Sequence, residues 1–294
     1  MNGLFLVDKP SDMTSFGVVA RIRRLTGEKC GHSGTLDPMA TGLLPVMVGK
    51  GTKLCEFFTE GRKSYVGTLR FGLVTDTGDT TGTVLEERAG MPTREELLAL
   101  LPRFTGVITQ QPPMYSAIKV HGVPLYKLAR AGKEAEIPTR QVEIDRLELL
   151  EYRPETAEAV LAVDCSKGTY IRSLFVDLAE AAGCLGTMSA LRRTASGRFS
   201  VENALPLDEL MALLEQSRAE QHFISLEKAL EELPRYQPQD FFATLLKNGC
   251  EVAVKKLKDL PPSLCAVYHG ETLVGLGNTI EKNGEILFKI VTHL

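Results

Sequence analysis

The sequence has no apolar run approaching the roughly 18 residues that a membrane-spanning helix needs. Its opening, MNGLFLVDKP, lacks a basic flank, a long apolar stretch and a small-residue cleavage site, so it does not read as a secretory signal. We expect a cytoplasmic protein with no membrane partner. The six cysteines (Cys30, Cys55, Cys165, Cys184, Cys250 and Cys265) are scattered without a C-x-x-C pair. That spacing argues against a zinc site or a disulfide framework and suits reduced, mostly small core residues. Excess positive charge is also missing: the net charge is −3, which argues mildly against a nucleic-acid partner. The charge is uneven, however. Residues 1–201 carry 25 Lys+Arg against 23 Asp+Glu, and residues 202–294 carry 9 against 14. A weakly basic body with local basic loops can still bind RNA.

No internal repeat or low-complexity tract interrupts the chain. Residues 4–7 (LFLV) read as a short buried strand. Thr14 or Ser15 caps a helix whose apolar face is Val18, Val19, Ile22 and Leu25, ending near Gly27. Residues 31–51, rich in Gly, Thr and Pro, read as mostly loop. Strands follow at 65–71 and 83–87 around the turn-rich TDTGDTTG. Thr93 and Glu96 match a capping box before an apolar helix at 97–101. Residues 105–140 hold clustered Pro and Gly and several bases, as a long loop or insertion does. Paired strands are expected at 142–150 and 159–165. A helix at 171–182 carries Ile171, Leu174, Phe175 and Leu178 on one face, with Gly183 as its stop. Acidic helices at 208–216 and 226–232 precede Pro234 and Pro238. A short helix at 241–247 and three short strands then suggest a small β-rich domain from about residue 233. The irregular element order points to α+β with a mostly antiparallel sheet.

The chemically informative stretch is GHSGTLDPMATGLLPVMVGKGTKL, residues 31–54. Asp37 precedes Pro38, which biases it away from helix toward an extended or turn conformation. It either initiates a turn or presents a carboxylate from a stiff loop into a cleft. A Walker reading of GKGT fails, because Leu44 stands where the motif needs glycine and Gly51 follows Lys50. No Ser-His-Asp order or metal-ligand cluster stands out.

This block resembles the catalytic motif of the TruB family, the tRNA pseudouridine-55 synthases. The opening FLVDKPSDMTS resembles that family's N-terminal motif, with Lys9 and Pro10 in place. KSYVGTLRFGLVTDTGD resembles the block holding its active-site tyrosine, here Tyr65, and CSKGTYIRSL the block holding its arginine, here Arg172. The four blocks occur in the family's order and span residues 4–200.

The resemblance implies a pseudouridine synthase catalytic fold over residues 1–232, a mostly antiparallel mixed sheet flanked by helices. It implies a thumb-loop insertion at about 105–140 and a small PUA-like domain over 233–294. The implied reaction isomerises uridine to pseudouridine in the T-loop of tRNA, with Asp37 as nucleophile or base, Arg172 paired to it, and Tyr65 stacked on the uracil. It needs no cofactor, no metal and no obligate protein partner, so a monomer is expected. His32 matches the histidine of the flipped-base region, and Lys9, Pro10, Tyr170 and Leu191 would line the substrate pocket. Backbone contacts to RNA are expected from Lys119, Lys127, Arg130, Lys133 and Arg140 of the thumb. The run LRRTASGRFS adds Arg192, Arg193 and Arg198, with no acid between them. A solvated charged surface is the plain alternative for each of these bases. Three other readings share parts of this pattern: a guide-RNA-dependent synthase, a non-catalytic RNA-folding module, and an N-glycosidase that releases free base.

Overall fold

The computed structural model describes residues 1–116, 118–120, 122–131 and 136–294. One large sheet runs in the order Leu205–Pro206, Gly3–Lys9, Thr41–Val48, Gly186–Ser196, Lys63–Phe71, Glu158–Cys165, Arg140–Arg153 and Gly106–Gln110. Along this path Gly3–Lys9 runs parallel to Leu205–Pro206, and Thr41–Val48 parallel to Gly186–Ser196; the other neighbours are antiparallel. The expected α+β, mostly antiparallel mixed sheet is thus present. No helix among the described residues is long and apolar enough to cross a membrane.

The strand Gly3–Lys9 shows why short apolar runs suffice. Its side chains alternate between faces, and both faces are buried. Leu4 and Leu6 join a core shared with the C-terminal strands, through Ala266, Tyr268, Leu273 and Leu276. Phe5 and Val7 join a second core under the helices Ser15–Thr26 and Leu207–Glu215. The neighbouring Thr41–Val48 repeats the division, with Leu43 and Met47 on one side and Leu44, Val46 and Val48 on the other. Each such fully buried aliphatic side chain contributes about 1.5–3 kcal/mol from removed apolar surface.

This strand corrects the expectation of loop across residues 31–51, where Cys30–His32 and Thr41–Val48 are both extended. Pro45 weighed as a breaker but is accommodated. Its carbonyl accepts from Ser33 N–H at 3.3 Å. A residue's N–H and C=O point the same way in a strand, so the missing donor faces away from Gly3–Lys9. There the next strands leave a gap: Gly186–Ser196 pairs only at Thr41 and Gly42, and Cys30–His32 only from Val46 onward. A second correction concerns residues 105–140, whose first part, Gly106–Gln110, is the sheet's edge strand rather than loop. The helix expected at 226–232 is only Leu226–Ala229.

Helix ends follow the local signals. Thr14 Oγ1 accepts from Gly17 N–H at 2.9 Å, and Gly27 closes the helix with φ +67°. The Thr93–Glu96 capping box is formed on both sides. A third core packs the helix Ile171–Ala181 onto the sheet through Leu174, Phe175 and Leu178, against Leu69, Leu161, Val163 and Met188. A separate five-stranded sheet, Arg235–Tyr236, Cys265–His269, Thr272–Lys282, Glu285–His293 and Val252–Ala253, forms the C-terminal region with the helix Asp240–Lys247.

Candidate active site

The two halves of the large sheet meet at a short parallel pairing. Only Arg192 opposite Thr41 and Arg193 opposite Gly42 join Gly186–Ser196 to Thr41–Val48. Gly42 has φ +100°, and a β-carbon there would lie 2.3 Å from the Arg193 carbonyl, so the close approach demands glycine. The loop 33–40 enters at this seam and carries Asp37.

Asp37 is fixed from both sides. Ser15 Oγ accepts from Leu36 N–H at 2.8 Å and donates to the Leu36 carbonyl at 3.0 Å. The Lys9 ammonium donates to the carbonyls of Pro38, Pro10 and Met13 at 3.0, 2.8 and 2.6 Å. Lys9 is 0% exposed and clamps the N-terminal loop to the Asp37–Pro38 turn. Burial pulls its pKa down to about 8, against the pull of Asp12 and Asp37.

Arg172 meets the Asp37 carboxylate with two nitrogens, Nε to Oδ2 at 2.9 Å and Nη2 to Oδ1 at 3.1 Å. This is the fork geometry that makes arginine a specific carboxylate partner. The arginine side chain is 5% exposed and the aspartate 31%, so the carboxylate keeps one side open. Arg172 also donates to the Thr77 carbonyl at 2.8 Å and the Tyr115 carbonyl at 2.9 Å. Burial pushes the Asp37 carboxyl up from the usual range; Arg172 and Lys9 oppose this and Asp79 adds to it.

Asp79, Gln110 and Tyr115 were not singled out in the sequence. Asp79 Oδ2 is 3.8 Å from Arg172 Nε. Its other oxygen accepts from Thr77 Oγ1 and Thr81 N–H, both at 3.0 Å, and from Thr81 Oγ1 at 2.5 Å. The Thr-x-Asp-x-Thr spacing at 77–81 is a local turn signal that hides a buried acid. Gln110 accepts from Tyr170 N–H at 2.8 Å and donates to the Tyr170 carbonyl at 3.0 Å. It thereby fixes the start of the arginine's helix, which has no side-chain cap of its own. Ser173 Oγ donates to the Gln111 carbonyl at 2.8 Å. The beginning of the expected thumb is therefore stitched to the arginine.

Tyr65 lies half-buried on Lys63–Phe71, directly across from Arg193. Burial pushes its phenol up, and the Arg193 guanidinium beside it works the other way. Leu191 is buried in the core that Tyr65 packs against. His32 is half-buried with an unpartnered Nδ1, and burial with Arg193 lowers its pKa. Tyr170 is half-buried under the Arg140 guanidinium, 5.7 Å from the ring centre. Pro10 is exposed.

The three arginines of the basic run LRRTASGRFS have separate surroundings. Arg192 grips Asp8 with two nitrogens at 3.0 and 2.6 Å and is 43% exposed. Arg193 is 1% exposed. Arg198 is engaged by Glu231 and Glu232. Acids distant in sequence neutralise two of the three, which no local count reveals. In the thumb, Lys127 is exposed; Lys133 and the side chains of Lys119 and Arg130 lie outside the described residues. No group of three or more His, Cys, Asp or Glu among the described residues is placed to hold a metal ion.

Comparison with known proteins matches this constellation to one family. The model of the TruB family pseudouridylate synthase N-terminal domain matches residues 23–171. The model of the tRNA pseudouridylate synthase B C-terminal domain matches residues 172–234. Their boundary falls between Ile171 and Arg172, inside one helix. The chain is 41% identical to the tRNA pseudouridine synthase B of Clostridium tetani over 100% of both chains. It is 44% identical to that of Geobacillus kaustophilus over 85% of this chain and 90% of the relative. Among solved structures, a Cbf5–Nop10–Gar1 complex contains a chain with TM-score 0.74 and 27% identity, matched over 99% of this chain and 84% of that one. Matched motifs, shared fold and near full-length relatives agree, and the chain belongs to the TruB family of pseudouridylate synthases.

Proposed function

We propose that the protein isomerises uridine to pseudouridine at position 55 in the T-loop of tRNA, with Asp37 as the reacting carboxylate. The observation that carries this reading is the half-open Asp37 carboxylate, gripped by a buried Arg172 at the seam of the sheet. The N1–C1′ bond of the nucleotide breaks, the uracil turns, a C5–C1′ bond forms, the C5 proton leaves and N1 takes up a proton. An ionised Asp37 serves this either by adding to C1′ or by removing a sugar proton to give a glycal. Arg172 keeps that carboxylate charged where burial favours the neutral acid. Tyr65 stacks on the uracil and, as phenolate after its own proton has passed to solvent, takes up the C5 proton. The target base must leave its stack, at a cost of a few kcal/mol, and His32 fills the vacated place. Arg140 and the exposed Lys127 contribute backbone contacts, and the C-terminal sheet forms a PUA-like domain over residues 233–294.

Tritium release from tRNA labelled at uridine C5, mapped to the T-loop, tests reaction and position together. Release at that position by protein and tRNA alone supports the reading and a protein acting without a guide RNA or a protein partner. Free uracil in the products, or binding and refolding of tRNA without release, would refute it. A guided reading is kept because of the fold shared with a chain of the Cbf5–Nop10–Gar1 complex. Activity that appears only after a guide RNA is added would favour it.

A further inference from the structure

The charge that this site does not explain is Arg193. It is among the largest fully buried side chains of the molecule. Taking an unpaired cation out of water costs several kcal/mol, and an apolar side chain of similar volume would fill the space without that cost. Yet among the described residues Arg193 pairs with no carboxylate, whereas Arg172 takes Asp37 and Arg192 takes Asp8. Its donors go to backbone carbonyls: Nε to Leu43 at 2.7 Å and Nη2 to Gly34 at 3.1 Å. One guanidinium thus ties the loop that carries Asp37 to the strand Thr41–Val48. From the other side it faces Tyr65, its register partner across the sheet.

We infer that Arg193 is a positioning residue for the isomerisation: a buried cation that pins the Asp37 loop through two carbonyls and holds the Tyr65 hydroxyl beside it. The inference rests on the proposed reaction and deepens it. Two roles follow from one side chain. The fork geometry sets the distance between loop and strand, which an ammonium, as a point donor, does not reproduce. The positive charge favours the phenolate form of Tyr65, and only that form has an oxygen free to accept the C5 proton. The other titratable groups that bear on the Tyr65 phenol are Cys165 and Asp37. Burial pushes the Cys165 thiol up to about 11, so it is replaced by serine in the test.

The test installs 3-fluorotyrosine at position 65 of the full chain in a Cys165→Ser background and follows its ¹⁹F resonance through a pH titration, with and without Arg193→Gln. Single-turnover isomerisation and tRNA affinity are measured on the same variants without the label. In folded Arg193→Gln the phenol midpoint should rise by on the order of one unit. The single-turnover rate should fall about 100-fold, with tRNA affinity within about threefold. An unchanged midpoint or an unchanged rate overturns the inference. Should Arg193→Gln fail to fold, Arg193→Lys decides. It keeps the charge but not the fork, so its midpoint stays near that of the parent while the rate drops about 10-fold. A parental rate in Arg193→Lys, or a midpoint displaced as far as loss of the charge would move it, overturns the inference. If the parent protein itself does not isomerise uridine, the proposed function fails, and the phenol titration still reports whether Arg193 acts on Tyr65.

Discussion

The body around the seam and the C-terminal sheet bury different kinds of side chain. All twelve buried polar or charged residues among those described lie between Lys9 and Ser196, and five of them are Lys, Arg or Asp. From residue 201 onward the buried residues are apolar or aromatic, and the acidic excess of that region is on its surface. Buried charge is costly unless paired, so the body gives up stability that the C-terminal sheet keeps, and four of its five buried charges, Lys9, Asp79, Arg172 and Arg193, surround the Asp37 loop. The C-terminal sheet is an ordinary apolar core around Tyr236, Val267, Phe288 and Ile290. It shares a second apolar seam with the body through Ala266, Tyr268, Leu273 and Leu276.

This contrast breaks most sharply at Arg172. Arg172→Met should lower single-turnover isomerisation on the order of 10³-fold, the upper range for losing one preorganised donor. Stability should fall by about 3 kcal/mol, the low end for breaking a buried pair, because Asp37 is partly open to water. The sign of the pH effect follows from the charges. Burial raises the Asp37 pKa above 3.8 and Arg172 opposes the rise. The acid limb of the rate therefore lies above the usual carboxylate range in the wild type and moves to still higher pH in the residual activity of Arg172→Met. A limb that stays in place would mean that Asp37 does not depend on Arg172 for its charge.

In the C-terminal sheet the order of effects should reverse. Phe288→Ala removes a buried ring and should cost about 3–5 kcal/mol in denaturant unfolding, while isomerisation per folded molecule stays within about threefold of wild type. A much larger loss of activity would mean that the two regions are coupled. Tyr236→Phe sharpens the comparison in the opposite direction. The Tyr236 hydroxyl is buried without a partner, and its removal should stabilise the protein by about 1 kcal/mol. The smallest effect is expected at Arg192, which is already neutralised by Asp8. Arg192→Ala should leave the salt slope of tRNA binding nearly unchanged, and a change of about 1 unit, the share of one phosphate contact, would restore it to the RNA interface.

What was legible in the sequence was local. The Thr14 and Gly27 caps, the Thr93–Glu96 box and the apolar face of Ile171–Ala181 are short-range signals, and each is present in the fold. The juxtaposition of Asp37 and Arg172 became readable only through the family motifs, because 135 positions separate them. Three features were not legible locally. The composition of residues 31–51 counted Pro45 and Gly42 as breakers, although a gap between neighbouring strands and a close backbone approach accommodate both. The run at 192–198 looked like a basic patch because Asp8, Glu231 and Glu232, which neutralise Arg192 and Arg198, come from elsewhere in the chain. Lys9 matched a family motif, but its burial depends on three carbonyls from two separate loops.

The central claim is that the Asp37 carboxylate does the chemistry while other groups hold the RNA. Asp37→Asn, measured for tRNA affinity and for single-turnover pseudouridine formation in the same preparation, tests it most directly. The account predicts affinity within about threefold of wild type, because phosphate contacts lie elsewhere, and no detectable isomerisation. Pseudouridine formed at the wild-type rate by that variant would contradict it.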